Sequence, residues 1–156
     1  MKPKLHILNS REVRVIVEKL EEQYGCTLKL DYVFLKNQDD RIFIIGRDVE
    51  LIDYDELRIN TLGLYFGEIS KNGEVRLTIE GSQMIGMHAQ KNVVELPVEH
   101  VRAYFQGKEI ELSLDIKGQP FVLLKYRTDF FGAAKYKDGT ILNYLPKVHR
   151  TTELMI

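Results

Sequence analysis

The chain has 156 residues, 44% of them hydrophobic, with 22 Lys or Arg against 23 Asp or Glu. This balance fits one ordinary domain or two small ones built on a real core, and excludes extensive disorder. No apolar run approaches the roughly 20 residues that span a bilayer, and the lone Cys26 excludes a disulfide framework and fits a reducing compartment. The amino terminus lacks an extended apolar stretch and a small-residue cleavage site, so no signal peptide is read and a cytoplasmic location is expected.

The first helix is the clearest element. Asn9 or Ser10 caps it, Glu12 sits at the capping-box position counted from Asn9, and Gly25 is the stop. Val13, Ile16, Val17, Leu20 and Tyr24 recur at helical spacing as one apolar stripe. Leu28, Leu30, Tyr32 and Phe34 then follow a period of two, and a polar turn at Asn37-Gln38-Asp39-Asp40 leads into a strand from Arg41 to Ile45. Asp48 to Arg58 is ambiguous, with Asp53 able to cap a helical turn or two through Leu57. Runs from Thr61 to Ile69 and Glu74 to Ile79 flank Lys71-Asn72-Gly73, a hairpin signal because Asn and Gly tolerate positive φ. A short helix is expected from Gly81-Ser82 towards His88.

Asn92 to Leu96 reads as a brief strand. Pro97 suits the first position of a helix whose apolar stripe is Val98, Val101, Tyr104 and Phe105, ended by Gly107. Beyond it nearly everything is β. Ile110 to Ile116 turns at Lys117-Gly118 into Phe121 to Tyr126, and Phe131 to Tyr136 turns at Asp138-Gly139 into Thr140 to Tyr144. Pro146 stops the pairing. The expected organisation is therefore two units, residues 1–90 and 91–156, packed together without a flexible linker.

Charge is unevenly spread. Phe121 to Arg150 carries six cations (Lys125, Arg127, Lys135, Lys137, Lys147 and Arg150) against two acids, Asp129 and Asp138. The preceding 120 residues carry sixteen bases and twenty acids. Strand periodicity puts Lys135 and Lys137 on one face, and Lys125 and Arg127 on one face, so pairing of the strands would line a surface with four cations. Lys147 and Arg150 extend it as a basic tail, and Tyr126, Phe130, Tyr136 and Tyr144 lie among the charges. Such a surface suits a phosphate backbone, with rings available to stack bases. The same pattern also describes half-buried strands with one solvated face, the aromatics being core.

A family resemblance favours the first description. Val93-Val94-Glu95-Leu96 followed by Val101 to Ile110 (VRAYFQGKEI) resembles the opening of a PUA domain, the module named for pseudouridine synthases and archaeosine transglycosylases. Phe121 to Leu145, with Gly132 in a strand turn and Asn143-Tyr144-Leu145-Pro146-Lys147, resembles its closing strands. The likeness is nearest to the PUA domains of ribosome-biogenesis factors and of proteins related to the Sun/Fmu-type RNA cytosine methyltransferases. Ile59 to Gly86 is similar to the pre-PUA region of archaeal and eukaryotic biogenesis factors, so the resemblance covers about Asp48 to Arg150.

The resemblance implies an α+β protein: an N-terminal α/β pre-PUA domain packed on a C-terminal β pseudo-barrel that binds RNA. Its basic C-terminal positions fall on Lys135, Lys147 and Arg150. The full expected RNA-binding set is Lys125, Arg127, Lys135, Lys137, Asn143, Tyr144, Lys147 and Arg150. Two departures stand out. Ala133-Ala134 replaces a glycine-containing pair, and Val148-His149-Arg150 replaces a more basic ending, which brings pH dependence through His149.

Catalytic signatures are missing. His6, His88, His100 and His149 have no metal-ligand spacing with one another or with Cys26. Gly81 to Gly86 lacks the Lys and Ser/Thr of a P-loop, and no Gly-rich dinucleotide turn follows a strand. Asp129-Phe130-Phe131-Gly132 is isolated from any other kinase-like element. Asp39-Asp40 belongs to a turn and Asp53/Asp55 to a cap. The chain is thus expected to be a non-catalytic RNA-binding protein, without metal or cofactor, acting in rRNA or tRNA maturation or ribosome biogenesis. Its partner would be RNA, with a ribosome-assembly or RNA-modification protein on the acidic N-terminal half. The alternative is a protein-interaction accessory subunit of an RNA-modifying enzyme. An enzyme with a cryptic site would need a deep polar-lined pocket.

Overall fold

The computed structural model describes residues 5–47 and 63–151. The ambiguous stretch from Asp48 to Arg58 lies outside them. The described chain is mixed α/β, with three helices and two five-stranded sheets.

The first helix, α1 (Ser10–Tyr24), starts as its sequence dictates. The Asn9 side chain accepts from the Glu12 N–H at 2.9 Å, and the Glu12 carboxylate accepts from the Asn9 N–H at 3.1 Å. Gly25, at φ 62°, ends it in the left-handed conformation that glycine adopts without strain. Ile16, Leu20 and Tyr24 are buried along its inner face.

The first sheet runs in order β1 (His6–Ile7), β2 (Tyr32–Lys36), β3 (Arg41–Gly46), β4 (Leu64–Ile69) and β5 (Val75–Leu77), all antiparallel. Two short helices follow in the chain, α2 (Ile79–Gly86) and α3 (Val98–Phe105). The second sheet has the order β6 (Val93–Glu95), β8 (Phe121–Tyr126), β9 (Asp129–Lys137), β10 (Thr140–Ile141) and β7 (Ile110–Glu111). Only β6 and β8 pair in parallel.

Several boundaries differ from the sequence reading. Leu28 to Asp31 has no sheet partner; Leu28 is buried instead, and its N–H is taken by the Glu21 carboxylate at 2.8 Å. At Lys71-Asn72-Gly73 only Gly73 has positive φ. The Gly73 N–H closes on the Ser70 carbonyl, and the Asn72 amide braces the turn through Ser70 and Glu74, so this is a longer loop than a two-residue hairpin. At Asp138-Gly139 both residues do have positive φ, and the two-residue turn forms as its sequence demands. Helix α2 is capped by Thr78 rather than opening at Gly81, and Pro97 is itself the cap of α3. Leu112 to Ile116 leaves the sheet: the buried Tyr136 hydroxyl donates to the Leu112 carbonyl and accepts from the Leu114 N–H, both at 2.8 Å, in place of a strand partner.

The core crosses from one sheet to the other. The first cluster gathers Ile16, Leu20 and Tyr24 with Phe34, Ile42, Ile44, Phe66, Val75, Leu77 and Ile85, but also Leu123 and Ala133 of the second sheet. The second gathers Val94, Leu96, Val101, Tyr104, Val122, Leu124, Phe131, Tyr136 and Ile141. Alternate residues of β8 therefore feed different cores, and both faces of that strand are covered. Polar contacts reinforce the join. The Gln23 amide clamps the Val75 backbone in both directions, at 3.0 and 2.8 Å, and Asn92 donates to the Gln23 carbonyl at 2.7 Å.

Candidate nucleic-acid interface

Strands β8 and β9 form a hairpin whose tip is Arg127-Thr128, with Tyr126 opposite Asp129 and Phe121 opposite Lys135. Lys125 and Arg127 stand at the tip; Lys135 and Lys137 stand roughly 20 Å away along the strand, at ~3.3 Å per residue. The continuous outward four-cation surface expected from strand periodicity does not form. Lys125 and Lys135 do share a face, but Leu123 and Ala133 on that face are buried in the first core, so the face is turned towards the N-terminal half. The Lys135 ammonium lies 3.3 Å from the carboxylate of Glu74, the residue before β5, and 5.1 Å from the Phe121 ring centre. The Lys125 ammonium lies 5.5 Å from the Phe130 ring centre, and Phe130 packs so closely on Gly86 that a Cβ there would sit 2.4 Å from the ring. Arg127 is exposed at φ 53°, its guanidinium 5.3 Å from the Tyr126 ring centre. Lys137 is exposed beside the Asp138-Gly139 turn.

The residues after β10 behave differently. Asn143 is a structural tie: its amide donates to the carbonyls of Tyr104 and Lys108, each at 2.8 Å, and its oxygen accepts from the Leu145 N–H at 2.9 Å. That tie leaves Tyr144 on the outside, 37% exposed, with its ring centre 6.2 Å from that of Phe121. Lys147–His149 form one 3₁₀ turn, with Lys147, Val148, His149 and Arg150 all exposed. Arg150 folds back so that its Nε donates to the Leu145 carbonyl at 3.1 Å and its side chain crosses Gly107, whose φ is 87°. Any side chain at Gly107 would meet Arg150 at 2.9 Å. Among the described residues neither Lys147 nor Arg150 has a carboxylate partner.

One residue at this site was not singled out from the sequence. Arg76, in the middle of β5, places its guanidinium 5.1 Å from the centre of the Tyr144 ring. Its Nη2 donates to the Glu68 carboxylate at 2.7 Å. A lone arginine in a short alternating strand carries no signal; its meeting with Tyr144 is created by the packing of the two sheets.

Below this rim lies the Tyr104 phenol. Burial pushes its pKa from 10.0 up to about 12, against the pull of the positive charges of Arg76 and Arg150. The charges of the two guanidinium groups, from opposite halves of the chain, thus both act on one buried hydroxyl, which stays neutral at physiological pH. Because the folded chain holds this proton more tightly than the unfolded chain, the stabilisation is complete below pH 10 and is lost as pH rises from about 10 through about 12. Tyr24 is shifted upward by burial as well. Replacing Tyr104 with phenylalanine should flatten the alkaline fall in stability, measured as urea midpoints between pH 9.5 and 11.5 (about the range bounded by the two values); an unchanged slope would show that this phenol does not contribute.

Elsewhere, an open groove is lined by His100, Ala103, Glu109, Ile110, Glu111 and Thr140. Its two carboxylates make it unsuited to phosphate. No group of three or more His, Cys, Asp or Glu suited to a metal occurs among the described residues. No helix among them is long and apolar enough to cross a membrane.

Residues 91–151, which hold the second sheet, α3 and the exposed basic end, match the family model of the methyltransferase RsmF PUA domain. The chain is a PUA-domain protein related to the Sun/Fmu-type RNA methyltransferases. Its relatives include the ribosomal RNA small subunit methyltransferase F of Vibrio vulnificus, 26% identical over 140 residues, or 89% of this chain and 28% of that protein. The Shewanella oneidensis protein of the same name is 23% identical over 139 residues, 88% of this chain and 28% of the relative. That of Psychromonas ingrahamii is 33% identical over 96 residues, 59% of this chain and 20% of the relative. The chain therefore spans between 20% and 28% of the length of these curated relatives.

Proposed function

We propose that this chain is a non-catalytic RNA-binding protein of the cytoplasm, with an N-terminal α/β unit of the pre-PUA kind over residues 1–90 and a PUA domain over 91–156. Its RNA is ribosomal or transfer RNA undergoing maturation, with small-subunit rRNA favoured because the relatives are named for it. The observation that carries the reading is the end of the PUA domain, where an exposed ring (Tyr144) is followed within six residues by two exposed cations that have no carboxylate partner among the described residues (Lys147 and Arg150). Lys137 and Arg127, also exposed, are auxiliary phosphate contacts. Lys135 and Lys125 serve chiefly the join between the halves, as Asn143 serves the fold.

Cations at such a site bind by releasing counterions from the RNA, about 0.7 in log–log salt slope for each single-strand phosphate neutralised. The double variant Lys147→Ala/Arg150→Ala should lose about tenfold in affinity for a labelled small-subunit rRNA fragment near physiological salt. Its salt slope should flatten by about 1.4 for the two contacts, with a fall in melting temperature of only a few degrees from loss of the Arg150 hydrogen bond to the Leu145 carbonyl. Fluorescence anisotropy across a salt series measures this; wild-type affinity and slope in the variant would reject the site.

A second reading is favoured by the chain's match to only part of longer methyltransferases. In it the chain is an accessory subunit that brings an RNA-modifying enzyme to its substrate, the acidic N-terminal half meeting the enzyme. Co-purification of such an enzyme, with negligible RNA affinity for the chain alone, would select it.

A further inference from the structure

We infer that Arg76, from the first sheet, is a nucleobase-contact residue, so that the RNA site spans both halves of the molecule and takes an unpaired base as well as phosphate. This deepens the RNA-binding reading and rests on it.

The argument is geometric. A guanidinium is flat and has two faces, and the ring of Tyr144 lies against Arg76 at 5.1 Å. The in-plane edge is held by Glu68 at 2.7 Å, which fixes the orientation of the plane before any ligand arrives. The Arg76 and Glu68 side chains are 26% and 35% exposed, so the plane sits at the rim of the join and not within the core. Unpaired RNA bases stack on aromatic rings and on arginine planes alike. Tyr144, itself 37% exposed, adjoins Arg76, and together they form a composite platform of ring and guanidinium. Glu68 already balances the Arg76 charge, so Arg76 contributes a surface for stacking more than a net attraction for phosphate. This separates its role from that of Lys147 and Arg150, and the separation is measurable.

The test uses the full chain and two labelled probes of about ten units, an oligoadenylate and the matching abasic ribose-phosphate oligomer. Arg76→Ala should weaken oligoadenylate binding about tenfold, the size expected on losing one stacking partner, while changing binding of the abasic probe by less than about twofold. Arg76→Lys keeps the charge without the plane, and should behave like Arg76→Ala towards oligoadenylate. Equal losses on both probes, or wild-type oligoadenylate affinity in Arg76→Lys, would overturn the assignment and leave Arg76 as a staple between the sheets. Should Arg76→Ala fail to fold, the Arg76→Lys comparison decides alone. Loss of binding in Lys147→Ala/Arg150→Ala with none in either Arg76 variant would reject the base contact while keeping the RNA reading. No binding of either probe by the wild-type chain, with none of rRNA fragments, would sink both.

Discussion

Gly81→Ala is expected to destabilise the chain by about 3 kcal/mol, at the upper end of what overpacking costs in a close-packed interior. The third residue of α2 lies directly on β4, and a Cβ there would sit 2.2 Å from the Phe66 carbonyl oxygen and 3.1 Å from Leu77. The obstacle is backbone, so no side-chain rotation relieves it. That carbonyl is also occupied: it accepts from the Thr78 N–H at 3.0 Å and from the Thr78 hydroxyl at 3.1 Å. The Thr78 hydroxyl oxygen in turn accepts from the Gly81 N–H at 3.1 Å as the cap of the helix. Lifting α2 to make room breaks the cap and opens the first core around Ile85 and Phe66 together. In a chain of this size the loss should appear as a fall in melting temperature of roughly 6–12 °C. Gly86→Ala gives an internal comparison. Its Cβ would strike the Phe130 ring at 2.4 Å, and that side chain can be shortened. Phe130→Ala should therefore recover part of the cost of Gly86→Ala, whereas no single side-chain truncation should rescue Gly81→Ala. A Gly81→Ala protein that melts with the wild type would show that the helix-to-strand approach is looser than 2.2 Å implies.

Leu123→Ala should cost about 3 kcal/mol, as expected for truncating a fully buried leucine. Its more telling consequence is where the loss is felt. Leu123 belongs to the second sheet by hydrogen bonding and to the first core by packing, with Ala133 opposite it. Its neighbour Leu124, equally buried, points into the second core. Both variants should lower a single melting transition seen alike by probes in either half, because the shared strand couples the two cores. Two separated transitions in Leu123→Ala would show that the halves unfold independently and that the crossing contact contributes little. The half-buried Lys135–Glu74 pair spans the same join, so neither residue is a clean probe of RNA binding; charge removal there tests stability first.

Much of the local structure was legible in the residues. The capping box of Asn9 and Glu12, the stop at Gly25, the stripes of α1 and α3 and the turn at Asp138-Gly139 follow from interactions among near neighbours, which a short segment carries wherever it sits. Longer-range features were partly legible. The unbroken apolar run from Phe121 to Leu124 is the pattern of a strand covered on both faces, a signal that the spacing of Lys125 and Arg127 beyond it masked. Other features left no local trace: the parallel pairing of β6 with β8, the replacement of a strand partner at Leu112 by the Tyr136 hydroxyl, and the Arg76–Tyr144 contact across 68 positions of sequence.

The residues alone determined that basic and aromatic side chains gather after Phe121, and their likeness to a known family implied that a PUA-like module ends there. Which side of the hairpin looks outward was decided only when the two sheets came together. Strand geometry alternates side chains between two faces but does not distinguish them. The choice belongs to the apolar area each face buries against other elements, and here Leu123 and Ala133 drew their lysine-bearing face onto the first core. The same packing left Tyr144, Lys147 and Arg150 outside and brought Arg76 to Tyr144 from a distant strand.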